Sequence, residues 1–174
     1  MTETNMKEMF SRQTIARRVE ELAEQLNADY AGREVVFVCI LKGAAIFIAD
    51  LVRQLKFDVR IEFMKVASYE GTASTGKIDF SLDIGSDISG KDVVIVEDII
   101  DTGNTLSFLS NHLAAKNPAS VKICVLLDNP TRRGEECLSP DYTAFVIPNQ
   151  FVVGYGLDYN GKYRHLPFIA TLMR

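Results

Sequence analysis

The sequence predicts an α/β fold with a doubly wound, mainly parallel sheet, and two observations predict it. Continuous apolar runs that suit strands buried on both faces recur along the chain, and helical periodicity falls between them. Repeated strand–helix–strand units of this kind build a parallel sheet covered by helices. No linker rich in Pro, Gly or Ser divides the 174 residues, so we expect a single domain over residues 1–174.

The first elements are a helix and a buried strand. Apolar residues at helical spacing between Ile15 and Leu26 predict the helix, with Ser11 as its N-terminal cap and Gly32 as its end. The uninterrupted apolar run at 35–40 then predicts a strand that is covered on both faces. This pair begins the alternation that the predicted fold requires.

A second helix and a more exposed pair of strands follow. The segment 44–55 predicts the helix, and apolar residues alternating with charged ones over 59–63 predict a half-exposed strand. The stretch 69–76 has no large apolar side chain after its first residue and is predicted to be a loop, and a further strand is predicted over 77–83.

The second half of the chain predicts three more buried strands, at 93–97, 123–127 and 143–147. Leucines at helical spacing over 106–113 place a helix between the first two, and Asn117 with the proline that follows it ends that helix. Ligands of doubly wound sheets bind beyond the carboxyl ends of the strands, and the chemistry is expected there.

Composition and charge exclude several classes of protein. With 47% hydrophobic and 24% charged residues the chain is of ordinary globular composition. The apolar run from Val35 to Leu41 is too short to span a membrane, and the first residues lack the order of a signal peptide. Cys39 and Cys124 lie inside apolar runs, which argues against a disulfide framework and favours a cytoplasmic location. A net charge of −4 argues against a nucleic-acid partner.

The most informative segment is VVIVEDIIDTGNTL at 93–106. A buried strand brings Glu97 and Asp98 to its carboxyl end, where carboxylates suit sugar hydroxyls or Mg²⁺. The turn that follows opens a helix and offers amides, hydroxyls and the helix dipole to a phosphate monoester. Together they predict a site for a phosphorylated sugar. The residues of this turn are Asp101, Thr102, Gly103, Asn104 and Thr105.

Parts of this segment also have simpler interpretations. An acid at a strand end can merely cap the next helix. Asp-Thr-Gly occurs in aspartic proteases, but those are β-rich, whereas here the triplet opens a helix. Receiver domains carry an acidic pair after their first strand, but here a long stretch of chain precedes it. The whole segment is more specific than any of its parts.

The complete string resembles the phosphoribosyl pyrophosphate motif of type I phosphoribosyltransferases. The resemblance implies their fold, in which a small hood built from the chain ends covers the active site. ILKGA at 40–44 is similar to the family's pyrophosphate loop, which implies that Leu41, Lys42 and Gly43 bind the leaving group. SYEGTASTG at 68–76 is similar to the mobile loop that begins with the pair Ser68 and Tyr69.

Two further segments resemble the branch that acts on 6-oxopurines. The pattern VKxxxLL implies that Lys122 donates to the purine 6-oxo group. The tail at 151–169 is similar to the segment that binds base and magnesium. There Arg164 is implied to bind pyrophosphate. The implied purine-binding residues are Lys122, Phe151, Val152 and Asp158.

The resemblance implies a purine-salvage transferase that moves 5-phosphoribosyl from its pyrophosphate to N9 of hypoxanthine or guanine. Asp101 would be the general base, Mg²⁺ would be the cofactor, held by Glu97, Asp98 and Asp158, and a homodimer or homotetramer would be the assembly. No membrane or nucleic-acid partner is implied. Two alternatives remain: a phosphoribosyltransferase for uracil, adenine or xanthine, and a non-catalytic RNA-binding regulator on the same fold.

Overall fold

The computed structural model describes residues 6–67, 79–133 and 138–172. Within these ranges, three helices and nine strands alternate along the chain, with a short 3-10 turn at Pro130–Arg132. The helices are α1 (Arg12–Asp29), α2 (Ala45–Val52) and α3 (Asn104–Ala114). The strands are β1 (Met6–Phe10), β2 (Glu34–Ile40), β3 (Asp58–Ala67), β4 (Asp79–Leu82), β5 (Asp92–Ile100), β6 (Ser120–Asp128), β7 (Tyr142–Val146), β8 (Val152–Val153) and β9 (Ile169–Leu172).

The main sheet has six strands in the order β4-β3-β2-β5-β6-β7. Neighbouring strands from β3 to β7 run parallel, and only β4 is antiparallel to its neighbour. From β2 the chain adds β3 and β4 on one side and then returns to add β5, β6 and β7 on the other side, a reversal of the kind found in doubly wound sheets. The predicted fold class is therefore confirmed.

Helices cover both faces of this sheet, so its central strands are buried on both sides. Val35, Phe37 and Cys39 of β2 pack in a core cluster with α1 and α2. The alternate residues Val36 and Val38 pack in a second cluster with α3. This arrangement explains why β2, β5 and β6 contain continuous apolar runs in the sequence, without alternation of apolar and polar residues.

Helix α1 forms as its sequence predicts. The Thr14 backbone N–H donates to the Ser11 hydroxyl at 3.2 Å, which caps the helix. The residues at helical spacing from Ile15 to Leu26 are all buried in the core. The helix ends after Asp29, and Gly32 follows with a φ of 72°.

A second, three-stranded sheet joins the two ends of the chain in the order β1-β9-β8. Strand β1 pairs antiparallel with β9, and Phe10 stacks on Phe145 of β7 with ring centroids 4.1 Å apart. The sequence did not predict β1, because MKEMF lacks clear alternation and its partner lies at the other end of the chain. This sheet is the hood that the family resemblance implied.

Several element boundaries differ from the prediction, among them those of β5, α2 and β4. Strand β5 continues to Ile100, past the predicted end at residue 97, because β6 pairs with it along that length. Helix α2 ends at Val52 and not at residue 55. Of the strand predicted over 77–83, the structure has Asp79–Leu82, and the loop predicted at 69–76 lies outside the described residues. Among the described residues, none of the helices is long and apolar enough to cross a membrane.

Candidate active site

The acidic pair lies near the carboxyl end of β5, as predicted. Glu97 is 9% exposed, and the backbone N–H of Asp98 donates to its Oε1 at 3.0 Å. Burial, together with the neighbouring Asp98 carboxylate, raises the pKa of Glu97 well above its ordinary value. The Ile99 backbone N–H donates to Asp98 Oδ1 at 2.8 Å, which orients the second carboxylate.

The predicted phosphate turn opens α3. Gly103 precedes the helix with φ 81° and ψ −8°, a left-handed conformation that glycine adopts without strain. No side chain in the described part of the chain caps this helix N-terminus, so its first amides can face a ligand. A cavity of about 190 Å³, here called the turn cavity, is lined by residues of this segment, among them Glu97, Asp98, Asp101, Thr102, Gly103 and Thr105. Asn104 begins the helix beside it.

A second cavity, of about 380 Å³, adjoins the first and is here called the tail cavity. Asp98, Ile99 and Asp101 line both cavities. Five site residues predicted from the sequence, from two distant parts of the chain, are thus brought together: Asp98, Asp101, Phe151, Val152 and Asp158. The further residues of the tail cavity include Asn129, Arg132, Phe151, Val152, Leu157 and Asp158.

The two carboxylate oxygens of Asp101 have different surroundings. Oδ2 forms an ion pair with Arg132 Nη1 at 2.7 Å. Oδ1 is buried and has no hydrogen-bond partner among the described residues. A buried acceptor without a partner is costly, so Oδ1 is suited to receive a hydrogen bond or a proton from a bound molecule.

The tail after β8 holds Asp158 in a fixed orientation. Arg164 Nη2 lies 2.5 Å from Asp158 Oδ1, and the Gly161 backbone N–H donates to Oδ2 at 2.8 Å. Arg164 also donates through Nη1 to the Gly156 carbonyl oxygen at 2.5 Å. Arg164 is thereby tied to both Asp158 and the backbone next to the loop at 41–43.

That loop packs between the acidic pair and the tail. The peptide bond from Leu41 to Lys42 is cis. A Cβ on Gly43 would lie 1.5 Å from Asp98 Oδ2, and a Cβ on Gly156 would lie 2.1 Å from the Gly43 carbonyl oxygen. Only glycine therefore allows these three segments to approach so closely.

An aromatic side chain stands at the mouth of the tail cavity. Phe151 is 47% exposed, and Tyr159 packs edge-on against it, with centroids 5.6 Å apart and planes at 82°. An exposed ring beside a cavity can stack on a flat ligand. Val152, the next residue, is buried in β8 and lines the same cavity.

Lys122 is not at this site, so its predicted contact with a purine must be corrected. It lies near the start of β6, where Nζ forms an ion pair with Asp141 Oδ1 at 3.5 Å and faces the Tyr142 ring. It lines a separate cavity formed at the amino ends of the strands. At about 3.3 Å per residue, the carboxyl end of β6 lies more than about 15 Å further along the strand. The lysine resembled a family pattern, but its position in the strand excludes the role.

Asn129 and Arg132 also line the tail cavity, although no motif in the sequence indicated them. Both follow the carboxyl end of β6, and the general placement of ligands at that edge of the sheet could have indicated them. The pair Ser68 and Tyr69 lies outside the described residues.

Comparison with known proteins identifies the family to which this site belongs. The family model for the phosphoribosyl transferase domain matches residues 5–160. The hypoxanthine-guanine phosphoribosyltransferase of Streptococcus pneumoniae is 47% identical over 174 residues, which is 99% of this chain and 96% of that protein. The hypoxanthine-guanine-xanthine phosphoribosyltransferase of Tritrichomonas foetus is 39% identical over 177 residues, covering 99% and 97% of the two chains.

A solved structure agrees with these relatives. The crystal structure of a hypoxanthine-guanine phosphoribosyltransferase from Bacillus anthracis superposes with a TM-score of 0.91 at 45% identity, covering 96% of this chain and 98% of that one. Sequence, fold and the arrangement of the acidic pair, the turn and the tail therefore agree, and the chain belongs to the phosphoribosyltransferase family.

Proposed function

We propose that this chain transfers the 5-phosphoribosyl group from phosphoribosyl pyrophosphate to N9 of hypoxanthine and guanine in purine salvage. The products are the purine nucleotide, IMP or GMP, and pyrophosphate. One observation carries the proposal: the turn cavity and the tail cavity share Asp98, Ile99 and Asp101. A sugar phosphate in the first and a flat base in the second would meet at these residues.

In this proposal the turn cavity binds the sugar phosphate. The first amides of α3 and the hydroxyls of Thr102 and Thr105 donate to the 5-phosphate, with Gly103 and Asn104 forming the turn. Glu97 and Asp98 bind the ribose hydroxyls. The Glu97 and Asp98 carboxyl oxygens can accept hydrogen bonds from those hydroxyls.

The leaving pyrophosphate is assigned to the loop of Leu41, Lys42 and Gly43 together with Arg164. Their amides and positive charges offset the negative charge that grows on the departing group. Gly43 packs directly against Asp98. The leaving group is thus placed next to the ribose site.

The residues present are suited to a Mg²⁺ ion that arrives with the donor. The described residues contain no group of three His, Cys, Asp or Glu side chains that could hold a metal on their own. Mg²⁺ commonly takes one or two carboxylates and completes its shell with water and substrate phosphates. Asp98 and Asp158 line the same cavity, with Glu97 beside them. When bound, the ion would neutralise charge on the pyrophosphate.

The base is assigned to the tail cavity. Phe151 stacks on the purine and Val152 offers main-chain groups to its edge. Asp101 accepts the proton from purine N7, and the buried, unpartnered Oδ1 is the atom suited to receive it. As the bond from C1 to the pyrophosphate oxygen breaks, N9 attacks a ribosyl centre with oxocarbenium character. That centre must be shielded from water, and Val152 of the three-stranded sheet lines the tail cavity.

Steady-state rates with hypoxanthine, guanine, xanthine and adenine at saturating donor test this proposal. We expect efficient transfer to hypoxanthine and guanine and poor transfer to adenine. Efficient use of adenine, or of uracil in a parallel assay, would assign the chain to another branch of the family. High RNA affinity without transfer to any base would favour the regulatory alternative.

We also propose that the chain acts as one domain, in the cytoplasm, as a homodimer or homotetramer. Pairing of β1 with β9 ties the two chain ends into one sheet, which supports a single unit. Cys39 and Cys124 are buried and unpaired, which suits a reducing compartment. Ile61, Phe63 and Leu82 are exposed apolar side chains of β3 and β4 that an assembly could cover. Sedimentation equilibrium tests the assembly.

A further inference from the structure

Tyr155 lies in an unusual stretch of backbone beside the loop at 41–43. Gly154, Tyr155 and Gly156 all have positive φ values, of 98°, 49° and 105°. Glycine adopts this conformation without strain, whereas a bulky aromatic residue rarely does. Such strain persists only where the surrounding structure enforces it. A buried tyrosine, 6% exposed, between two such glycines therefore indicates a role for its side chain.

The Tyr155 hydroxyl joins the tail to helix α2. It donates to Asp50 Oδ2 at 2.6 Å. Burial, together with the hydrogen bond to Asp50, raises the pKa of Tyr155, so the hydroxyl remains protonated and acts as the donor. Arg53 forms an ion pair with the other carboxylate oxygen, Oδ1. The Asp50 carboxylate is therefore held by a partner at each of its two oxygens.

Helix α2 connects this contact to the loop at 41–43. The helix begins at Ala45, immediately after the loop and Ala44, and Asp50 lies within the same short helix. At 1.5 Å per residue, Asp50 is about 8 Å along the axis from the start of the helix. Phe47 and Leu51 are fully buried, so the helix is packed firmly against the core. A displacement of α2 relative to the tail would therefore displace the loop as well.

On the other side, Tyr155 is bonded to the segment that carries Arg164. Gly156, the next residue, donates its backbone N–H to the Arg164 carbonyl oxygen at 3.0 Å. The Arg164 side chain in turn donates to the Gly156 carbonyl oxygen at 2.5 Å. Tyr155 thus stands between the two groups to which the pyrophosphate is assigned, the loop with Lys42 and the tail with Arg164.

Resting on the proposed function, we propose that Tyr155, through its hydrogen bond to Asp50, is a positioning residue for pyrophosphate. The bond sets the spacing between Lys42 on the loop and Arg164 on the tail. Two groups held at a fixed spacing bind a ligand with two phosphates better than two groups that move independently, because less ordering is needed on binding. Tyr155 and Asp50 themselves line a separate cavity beside α1 and α2, so they act on the substrate through the loop and the tail.

Tyr155→Phe tests the proposal because it removes only the hydroxyl, and Tyr142→Phe is its matched control. Tyr142 is 5% exposed, and its hydroxyl also donates to an aspartate, Asp29 Oδ2, at 2.6 Å. Tyr142 and Asp29 line the cavity at the amino ends of the strands, away from the proposed site. Both substitutions remove a hydrogen bond of the same kind and length, so they should lower the melting temperature by similar amounts.

The measurements are kcat/KM for pyrophosphate in the reverse reaction, at saturating IMP, and the Kd of IMP by calorimetry. We expect Tyr155→Phe to lower kcat/KM for pyrophosphate by about tenfold, since a misplacement of about 1 Å at a reacting centre can cost about a hundredfold. The Kd of IMP should not change, because IMP does not occupy the pyrophosphate site. Tyr142→Phe should leave both quantities at their native values.

Asp50 provides a second test of the same contact. Asp50→Ala should have the effect of Tyr155→Phe, and the two changes together should lower kcat/KM no further than either alone. Asp50→Asn keeps an oxygen that accepts from the hydroxyl and should retain most of the native value.

An equal kcat/KM for pyrophosphate in Tyr155→Phe and Tyr142→Phe would overturn the inference, as would an equal weakening of IMP binding. If Tyr155→Phe does not fold, native pyrophosphate kinetics in Asp50→Ala overturn it. A native enzyme that transfers to no 6-oxopurine would refute the proposed function itself, whereas these outcomes in an active enzyme refute only this inference.

Discussion

Replacing Gly156 by alanine is expected to displace the loop at 41–43 and weaken binding of the pyrophosphate donor. Gly156 has a φ of +105°, and a Cβ there would lie 2.1 Å from the Gly43 carbonyl oxygen. Real Cβ atoms almost never come within 3.0 Å of another atom. Because the obstructing atom belongs to the backbone, the loop or the tail must move, and a misplacement of about 1 Å at a reacting centre can cost about a hundredfold in rate.

Gly161 provides a matched control for the magnitude. It also has a positive φ, +75°, but a Cβ there would meet nothing within 4 Å. The unfavourable backbone conformation lowers the free energy of unfolding of both alanine variants by about 1–3 kcal/mol. Overpacking lowers that of Gly156→Ala by about a further 1–3 kcal/mol. For a chain of this size, the extra cost lowers the melting temperature by about 2–4 °C per kcal/mol.

The assay pairs thermal unfolding with steady-state kinetics at saturating hypoxanthine. We expect Gly156→Ala to melt several degrees below Gly161→Ala, at about 2–4 °C per kcal/mol, and to lower kcat/KM for the donor by about ten- to a hundredfold. Gly161→Ala should keep the native kcat/KM for the donor. Equal melting temperatures and equal kcat/KM values in the two variants would refute the close packing of these segments as the reason for glycine at position 156.

Three further substitutions have defined outcomes. Asp101→Asn should lower kcat by about two to four orders of magnitude with little change in donor KM, and a near-native kcat would remove Asp101 from the mechanism. Arg132→Met, which frees Asp101 Oδ2, should lower kcat by less, as single-turnover rates can show. Partial burial acts to raise the pKa of Asp83, but hydrogen bonds from the Ile84 amide, His112 and Lys116 hold it below its ordinary 3.8. Asp83→Asn should therefore lower the free energy of unfolding above pH 3.8, and denaturant titrations should show that difference vanishing as the pH falls through the lowered pKa.

Much of the site could be predicted because it is local in sequence. Glu97 and Asp98 lie near the carboxyl end of one buried strand, Asp101 follows it, and the turn that opens α3 comes directly afterwards. That short stretch contains the apolar run of the strand, the start of the helix and the side chains of the site. No information about distant parts of the chain was needed to predict them. The core helices and strands were predictable for the same reason, since burial on both faces leaves an apolar run that is visible in the sequence.

The predictions that were wrong or missing concern features that depend on how distant segments of the chain pack together. A lysine two residues into β6 and an asparagine just past its end look equally plausible in sequence, but they lie at opposite edges of the sheet. Strand β1 was missed because its pairing with β9 is set by the whole fold. His112 had no assigned role, and the structure shows its Nε2 2.9 Å from Asp83 Oδ2, a contact between α3 and the segment after β4.

The order of the central strands separates donor binding from base selection. Strands β2, β5 and β6 are direct neighbours, so the segments after them lie side by side at the carboxyl edge: the loop of Lys42, the turn of Asp101, and Asn129. Phosphate groups bind at the first two in the proposed reaction, and the base reaches the third. Changes at Lys42 should therefore alter the donor KM without altering the preference between bases, and changes at Asn129 should do the reverse. Kinetics of Lys42→Ala and Asn129→Asp with both substrates test this, and an exchange of the two effects would contradict the assignment of segments to substrate parts.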